Sequence, residues 1–214
     1  GSTLYISDGI IFIIDRLYMY PGSLIRTRPT SKLQIRRSFT AAPNSGCSSC
    51  HVFISEYNGG CGPVELVSYP GNSVFFNLGF DDNTAGRSSF MFINDGCSLV
   101  IPTDSSVTLQ GASQSQIDDR VPLRIDPNGS SGKLQVFGSI STNHLVRFFV
   151  PIELVGHLAN ITCTATTAAD CIESRFQVLV LPTSSNIISF GGLSLLGSTL
   201  YISDGIIFII DRLY

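Results

Sequence analysis

The chain has 214 residues, a formal net charge of −3, 43% hydrophobic residues and only 14% charged ones. That length can bury a proper core, as one large β-sandwich or two small ones, and the charge gives no overall pull toward nucleic acid or anionic membranes. A charge content well under the usual quarter of a globular chain suits a surface packed against copies of itself or covered in sugar, and argues against a free cytosolic monomer.

The first predicted element is also the last. Residues 1–18, GSTLYISDGIIFIIDRLY, return unchanged as residues 197–214, a spacing of 196 residues. The organisation expected is one module over 1–196 and the start of the next over 197–214, with a polar stretch near 112 as a candidate internal boundary. A period of that size is a whole domain rather than the short unit of a solenoid. Either modules follow one another in a tandem array or fibre, or a copied N-terminal strand completes the fold at the C-terminus. In both cases the shared segment is a strand that one module lends to its neighbour. Within it, Ile10, Ile11, Phe12, Ile13 and Ile14, repeated as Ile206, Ile207, Phe208, Ile209 and Ile210, are continuous in β-branched and aromatic side chains, as in a strand buried on both faces. Burying five such side chains contributes roughly 1.5–3 kcal/mol each. Left at an open edge, the same run templates aggregation. An ordinary internal core strand is the plainer alternative.

Further along come short β-like runs at 24–28, 32–37, 52–57, 64–69, 73–80, 88–93, 98–101 and 106–110. They continue at 121–125, 133–140, 144–154, 159–165, 172–181 and 186–190. Turn chemistry separates them, as in Pro70-Gly71-Asn72, Asn94-Asp95-Gly96 and Asp126-Pro127-Asn128-Gly129. No window shows an apolar stripe at helical period. The expected fold is all-β, an antiparallel β-sandwich of immunoglobulin-like or jelly-roll-like type, with 159–181 as its last hairpin.

Six cysteines point to an oxidising compartment, as do the glycosylation sequons at Asn128 and Asn160. Cys163 and Cys171 are expected to bridge a hairpin, while Cys47, Cys50, Cys61 and Cys97 pair among themselves in one of three ways. Cys47-Ser48-Ser49-Cys50-His51 also matches the attachment signature of c-type haem, with His51 as iron ligand. A zinc site on Cys47, Cys50, His51 and Cys61, and calcium at the acidic turns Asp81-Asp82 and Asp118-Asp119, are further readings of the same residue types. No catalytic motif accompanies the three histidines His51, His144 and His157, so no enzyme activity is expected. The basic run Arg26, Arg28, Lys32, Arg36 and Arg37 reads as an exposed polar face, or as a contact for an anionic glycan or an acidic loop of the next module. Nothing reads as a leader peptide, and the apolar run from Gly9 to Ile14 falls far short of the roughly 18 residues a membrane helix needs.

The lent apolar strand resembles the donor-strand principle of chaperone-usher pilins, in which an N-terminal extension fills a neighbour's incomplete sandwich. A second local resemblance is to the closing strand of fasciclin-type adhesion domains, carried by Asp8-Gly9-Ile10-Ile11-Phe12-Ile13-Ile14-Asp15-Arg16 up to Pro21. The first resemblance implies a homopolymeric fibre; the cysteines and sequons lead to the expectation that it is extracellular and carries covalently attached glycans. The alternatives are an adhesion module that grips carbohydrate or protein, and a haem-bearing redox filament.

Overall fold

The computed structural model describes residues 2–20, 22–41, 49–56, 60–78, 88–94, 96–110, 123–128, 132–142, 146–148, 150–155, 158–163, 172–174, 177–181, 187–190, 193–195, 199–202, 204 and 207–210. Among them the chain forms 22 strands and no helix, and every strand pairing is parallel.

The chain winds as a solenoid. The first coil is β1 (Thr3–Ile6) and β2 (Ile11–Met19), and the second is β3 (Ser23–Thr27) and β4 (Lys32–Ala41). From there each coil has three strands: β5 (Ser49–Glu56), β6 (Val64–Leu66) and β7 (Val74–Leu78), then β8 (Ser88–Asn94), β9 (Ser98–Ile101) and β10 (Ser106–Gln110). The fifth coil is β11 (Leu123–Asn128), β12 (Lys133–Val136) and β13 (Ser139–Thr142), and the sixth is β14 (Val146–Phe148), β15 (Ile152–Val155) and β16 (Asn160–Cys163). The last two are β17 (Ile172–Ser174), β18 (Gln177–Leu181) and β19 (Ile187–Phe190), then β20 (Leu193–Leu195), β21 (Thr199–Ile202) and β22 (Ile207–Ile210). Face A is the eight-stranded sheet β1-β3-β5-β8-β11-β14-β17-β20, one strand per coil. Faces B and C belong to one 14-stranded sheet, joined where β2 and β4 run unbroken across both. Beyond β4 it divides into β6-β9-β12-β15-β18-β21 on face B and β7-β10-β13-β16-β19-β22 on face C.

The all-β expectation therefore holds and the antiparallel sandwich does not. No strand pairs with its sequence neighbour as a hairpin would require; β16 pairs with β13 and β19, not with β18. Period-two alternation looks the same in both folds, because a solenoid strand also turns one side inward and the other to solvent. What separates the folds is the partner, a full coil away in sequence.

The core consists of stacked columns of like side chains, one per coil. Ile25, Ile54 and Ile93 stack on face A. Leu33, Val64, Leu99, Leu134 and Ile152 stack on face B. Val74, Val107, Ile140 and Ile161 stack on face C, next to the parallel-displaced rings of Phe39 and Phe76, 5.2 Å apart. Each is buried on adding a coil, so every coil needs its neighbours.

Corners are tight turns closed by backbone bonds across residues 7–10, 20–23, 28–31, 69–72, 94–97 and 102–105. Adjacent coils come closest there. A Cβ on Gly62 would fall on the carbonyl oxygens of Ser31 and Arg28, and one on Gly132 on that of Ile93. Buried Thr27 fixes this corner by donating to the Gly62 carbonyl at 2.7 Å, and the Cys61–Cys97 disulfide ties the third coil to the fourth there.

Candidate functional site

The two ends of the solenoid are made of the same sequence. Thr3–Ile6 lies on face A against β3, and its copy Thr199–Ile202 lies on face B against β18. Ile11 to Ile14 lie on face B opposite Lys32 to Ile35, whereas Ile207–Ile210 lies on face C against β19. The segment has moved one face around the coil and kept its phase. Tyr5 and Tyr201 are 56% and 53% exposed, Ile11 and Ile207 59% and 58%, Ile13 and Ile209 46% and 48%.

Within one copy of the chain, Phe12 pairs opposite buried Leu33 and is itself 39% exposed. Ile10, just before β2, is half exposed, and Ile206 lies outside the described residues. In this chain β1 and β2 are the outermost strands on one side, and β20, β21 and β22 on the other, and the exposed Tyr5, Ile11, Ile13, Tyr201, Ile202, Ile207 and Ile209 stand on them. Such an edge accepts another parallel strand.

A second feature sits near the first end, at the corner between faces B and C. There β4 has a bulge: Ile14 pairs with Ile35 and Arg16 with Ser38, so Arg36 and Arg37 together face Asp15. A bulge re-aims side chains, and here both guanidiniums come over the Tyr69 ring, 5.7 and 5.6 Å from its centroid. The Tyr69 hydroxyl donates to Asp15 Oδ1 at 2.9 Å, and Arg37 Nε lies 3.4 Å from Asp15 Oδ2. The turn that carries Tyr69 closes through Asn72 N–H to the Tyr69 carbonyl at 3.0 Å. Its Gly71 has φ +78°, a conformation costly for any other residue. The result is a cleft of about 450 Å³ lined by Arg16, Arg36, Arg37, Tyr69, Ser73 and Phe75. Asp15 engages only Arg37 among these arginines. Arg16 and Arg36 have no carboxylate partner among the described residues.

The basic run is thus divided by the fold. Arg26 stands over the Tyr5 ring at 6.0 Å, Arg28 Nε is 3.6 Å from Asp8, Lys32 pairs with Glu65 at 2.7 Å, and only Arg36 and Arg37 reach the cleft. Their companions Arg16, Tyr69 and Phe75 escaped the sequence reading, since nothing linear links three consecutive coils.

A repeat that was legible also went unread. Lys32-Leu33-Gln34-Ile35 recurs as Lys133-Leu134-Gln135-Val136. Each copy lies against a glutamate strand: Glu65 takes Lys32 at 2.7 Å and Gln34 at 2.9 Å, and Glu153 takes Lys133 at 3.1 Å and Gln135 at 2.7 Å.

Of the cysteines, Cys61 and Cys97 are bonded to each other; Cys47 and Cys171 lie outside the described residues. Cys50 and His51 fall on β5, Cys163 ends β16, and Asn128 ends β11, while Asn160 begins β16 and is partly buried. The haem reading rests on Cys47, and the calcium reading on Asp81, Asp82, Asp118 and Asp119, all outside the described residues. No cluster of three metal-ligating side chains occurs among the described residues. In comparisons with family models, curated proteins and solved structures, nothing matches this chain.

Proposed function

We propose that this chain is a structural building block of an extracellular fibre, and that its units join end to end by stacking the terminal coils. The observation that carries this reading is one apolar segment, residues 1–18 and again 197–214, that joins the same solenoid in both places and shows exposed large apolar side chains in each. Stacking sets β21 and β22 of one unit against β2 of the next, and β20 against β1. Face A, face B and face C then continue across the junction. Each inward side chain buried by stacking, such as Phe12 or Ile14, contributes up to roughly 1.5–3 kcal/mol, and parallel backbone bonds set the register. The unit is not a strand inserted into a sandwich; it is a rod whose ends complete each other.

The extracellular assignment draws on the Cys61–Cys97 disulfide, which suits an oxidising compartment, together with the sequons at Asn128 and Asn160 as glycan attachment points. The role is mechanical: a repeated stack with few loose edges resists shear and proteolysis. Electron microscopy of the purified chain tests it. Unbranched filaments growing with concentration support it, and particles that remain single solenoids at every concentration contradict it.

A further inference from the structure

Outside the end coils, face C is a lattice of hydroxyls. Its outer positions form one column through Arg16, Ser38, Phe75, Thr108, Ser141 and Thr162. A second column runs through Ser106, Ser139 and Asn160. Ser73 joins it through an Oγ–Oγ distance of 3.2 Å to Ser106, and Thr108 meets Ser141 at 3.3 Å. These side chains are at least partly exposed, and they recur at the spacing of parallel strands, about 4.8 Å. A hydroxyl used once as donor to its neighbour keeps acceptor capacity for a ligand.

The arginine cleft opens at one end of this lattice, and it shares Arg16, Ser38, Ser73 and Phe75 with it. Phe75, 46% exposed, and Tyr18, 56% exposed opposite Thr40, are the large apolar surfaces beside the hydroxyls. The cleft volume of about 450 Å³ lies within the usual range for a small-ligand site, roughly 300–1,000 Å³. Its three guanidiniums against one carboxylate leave an excess of two positive charges on a chain of net charge −3.

We propose that the cleft and face C bind an anionic polysaccharide, a sugar chain bearing carboxylate or sulfate groups. Arg16 and Arg36 hold an acid group by charge-assisted, forked hydrogen bonds. Phe75, 46% exposed, receives the apolar side of a sugar ring. The hydroxyl columns bond the following residues of the ligand along the solenoid axis. A protein partner would want an apolar patch where face C has Ser and Thr, and nucleic acid would want a longer basic stripe than two uncompensated arginines.

The test uses the purified chain with three polymers: polygalacturonate for carboxylate, heparin for sulfate, and dextran as the neutral control, each titrated calorimetrically. The expected result is binding to at least one anionic polymer, weakened by added salt, with none to dextran. Which of the two binds identifies the acid group. The double variant R16A/R36A is expected to lose at least about tenfold in affinity, the scale of one lost charged hydrogen bond. Neither arginine has an ion-pair partner among the described residues, and R16A/R36A gives up only the contact of Arg36 with the Tyr69 ring, so its unfolding midpoint should fall only slightly, and F75A should weaken polymer binding while sparing the fold. Failure of both anionic polymers to bind below about 1 mM, equal binding of dextran, or full affinity in R16A/R36A would overturn the proposal. The proposal does not depend on fibre formation: a strictly monomeric chain that binds retains it, and a fibre that binds no polymer loses only it.

Discussion

At the residue scale, the solenoid is decided at its corners. Gly132 has backbone where a side chain would go, so Gly132→Ala must push the fourth and fifth coils apart around the Ile93 carbonyl. The expected cost is about 1–3 kcal/mol, read as a lower midpoint in chemical denaturation. Gly71 is the useful contrast, with open space around it but φ +78°; Gly71→Ala should cost only the left-handed strain, about 1 kcal/mol. Equal stability of the Gly132 variant and the parent would contradict such close stacking. The glutamates make a matched pair of sites. Glu65 and Glu153 each accept from a lysine and a glutamine of the adjacent coil, and their side chains are 12% and 13% exposed. Removing either carboxylate should cost about 1–2 kcal/mol after allowing for the part-exposed lysines. Similar urea midpoints for Glu65→Ala and Glu153→Ala are expected; an effect at only one site would show that the two cassettes are not equivalent.

At the element scale, the strands were legible and their partners were not. The runs at 98–101 and 106–110 match β9 and β10 end for end, and the run at 186–190 covers β19 with one residue to spare. Three longer runs were read through a corner. The stretch 133–140 breaks into β12 and β13 around Phe137 and Gly138. Its Gly138 is the residue whose Cβ would strike the carbonyls of Ser105 and Pro102. Nothing in local propensity marks that break, because the clash is with a chain segment some 33 residues away. Pairing was hidden for the same reason. Partners are separated by 18 residues between Leu134 and Ile152 and by 39 between Ser49 and Ser88, so no fixed period appears. The repeated segment is legible directly as residues 1–18 and 197–214, and within one copy of the chain Ile11, Phe12 and Ile13 are 59%, 39% and 46% exposed. Their exposure gives a clean test. Ile13→Lys and Ile209→Lys replace side chains already 46% and 48% exposed, so each should change stability by no more than about 0.5 kcal/mol. Both should weaken self-association in sedimentation velocity, because each stands in the outward row of its strand, Ile13 beside Gln34, where the next unit's strand brings an apolar side chain alongside. Unaltered association in both variants would move the contact elsewhere.

At the scale of the whole chain, the described residues form a stack of eight coils, which at about 4.8 Å per coil extends on the order of 35–40 Å along the axis. Its long sides and its ends are chemically distinct. Face B presents the two lysine–glutamine–glutamate cassettes, face C presents hydroxyls and the arginine cleft, and each end presents an unpaired apolar edge. A rod of that kind has one direction in which copies add without changing its surface, namely along its axis. The identical segments lie one face apart around the coil, Thr3–Ile6 on face A and Thr199–Ile202 on face B.

Diffraction from oriented filaments of this chain tests the account most directly. Coil-on-coil stacking predicts a meridional reflection near 4.8 Å together with an axial repeat of roughly 35–40 Å, the length of one unit. Filaments with strands running along the axis, or units joined side by side with both end coils still open, would contradict it.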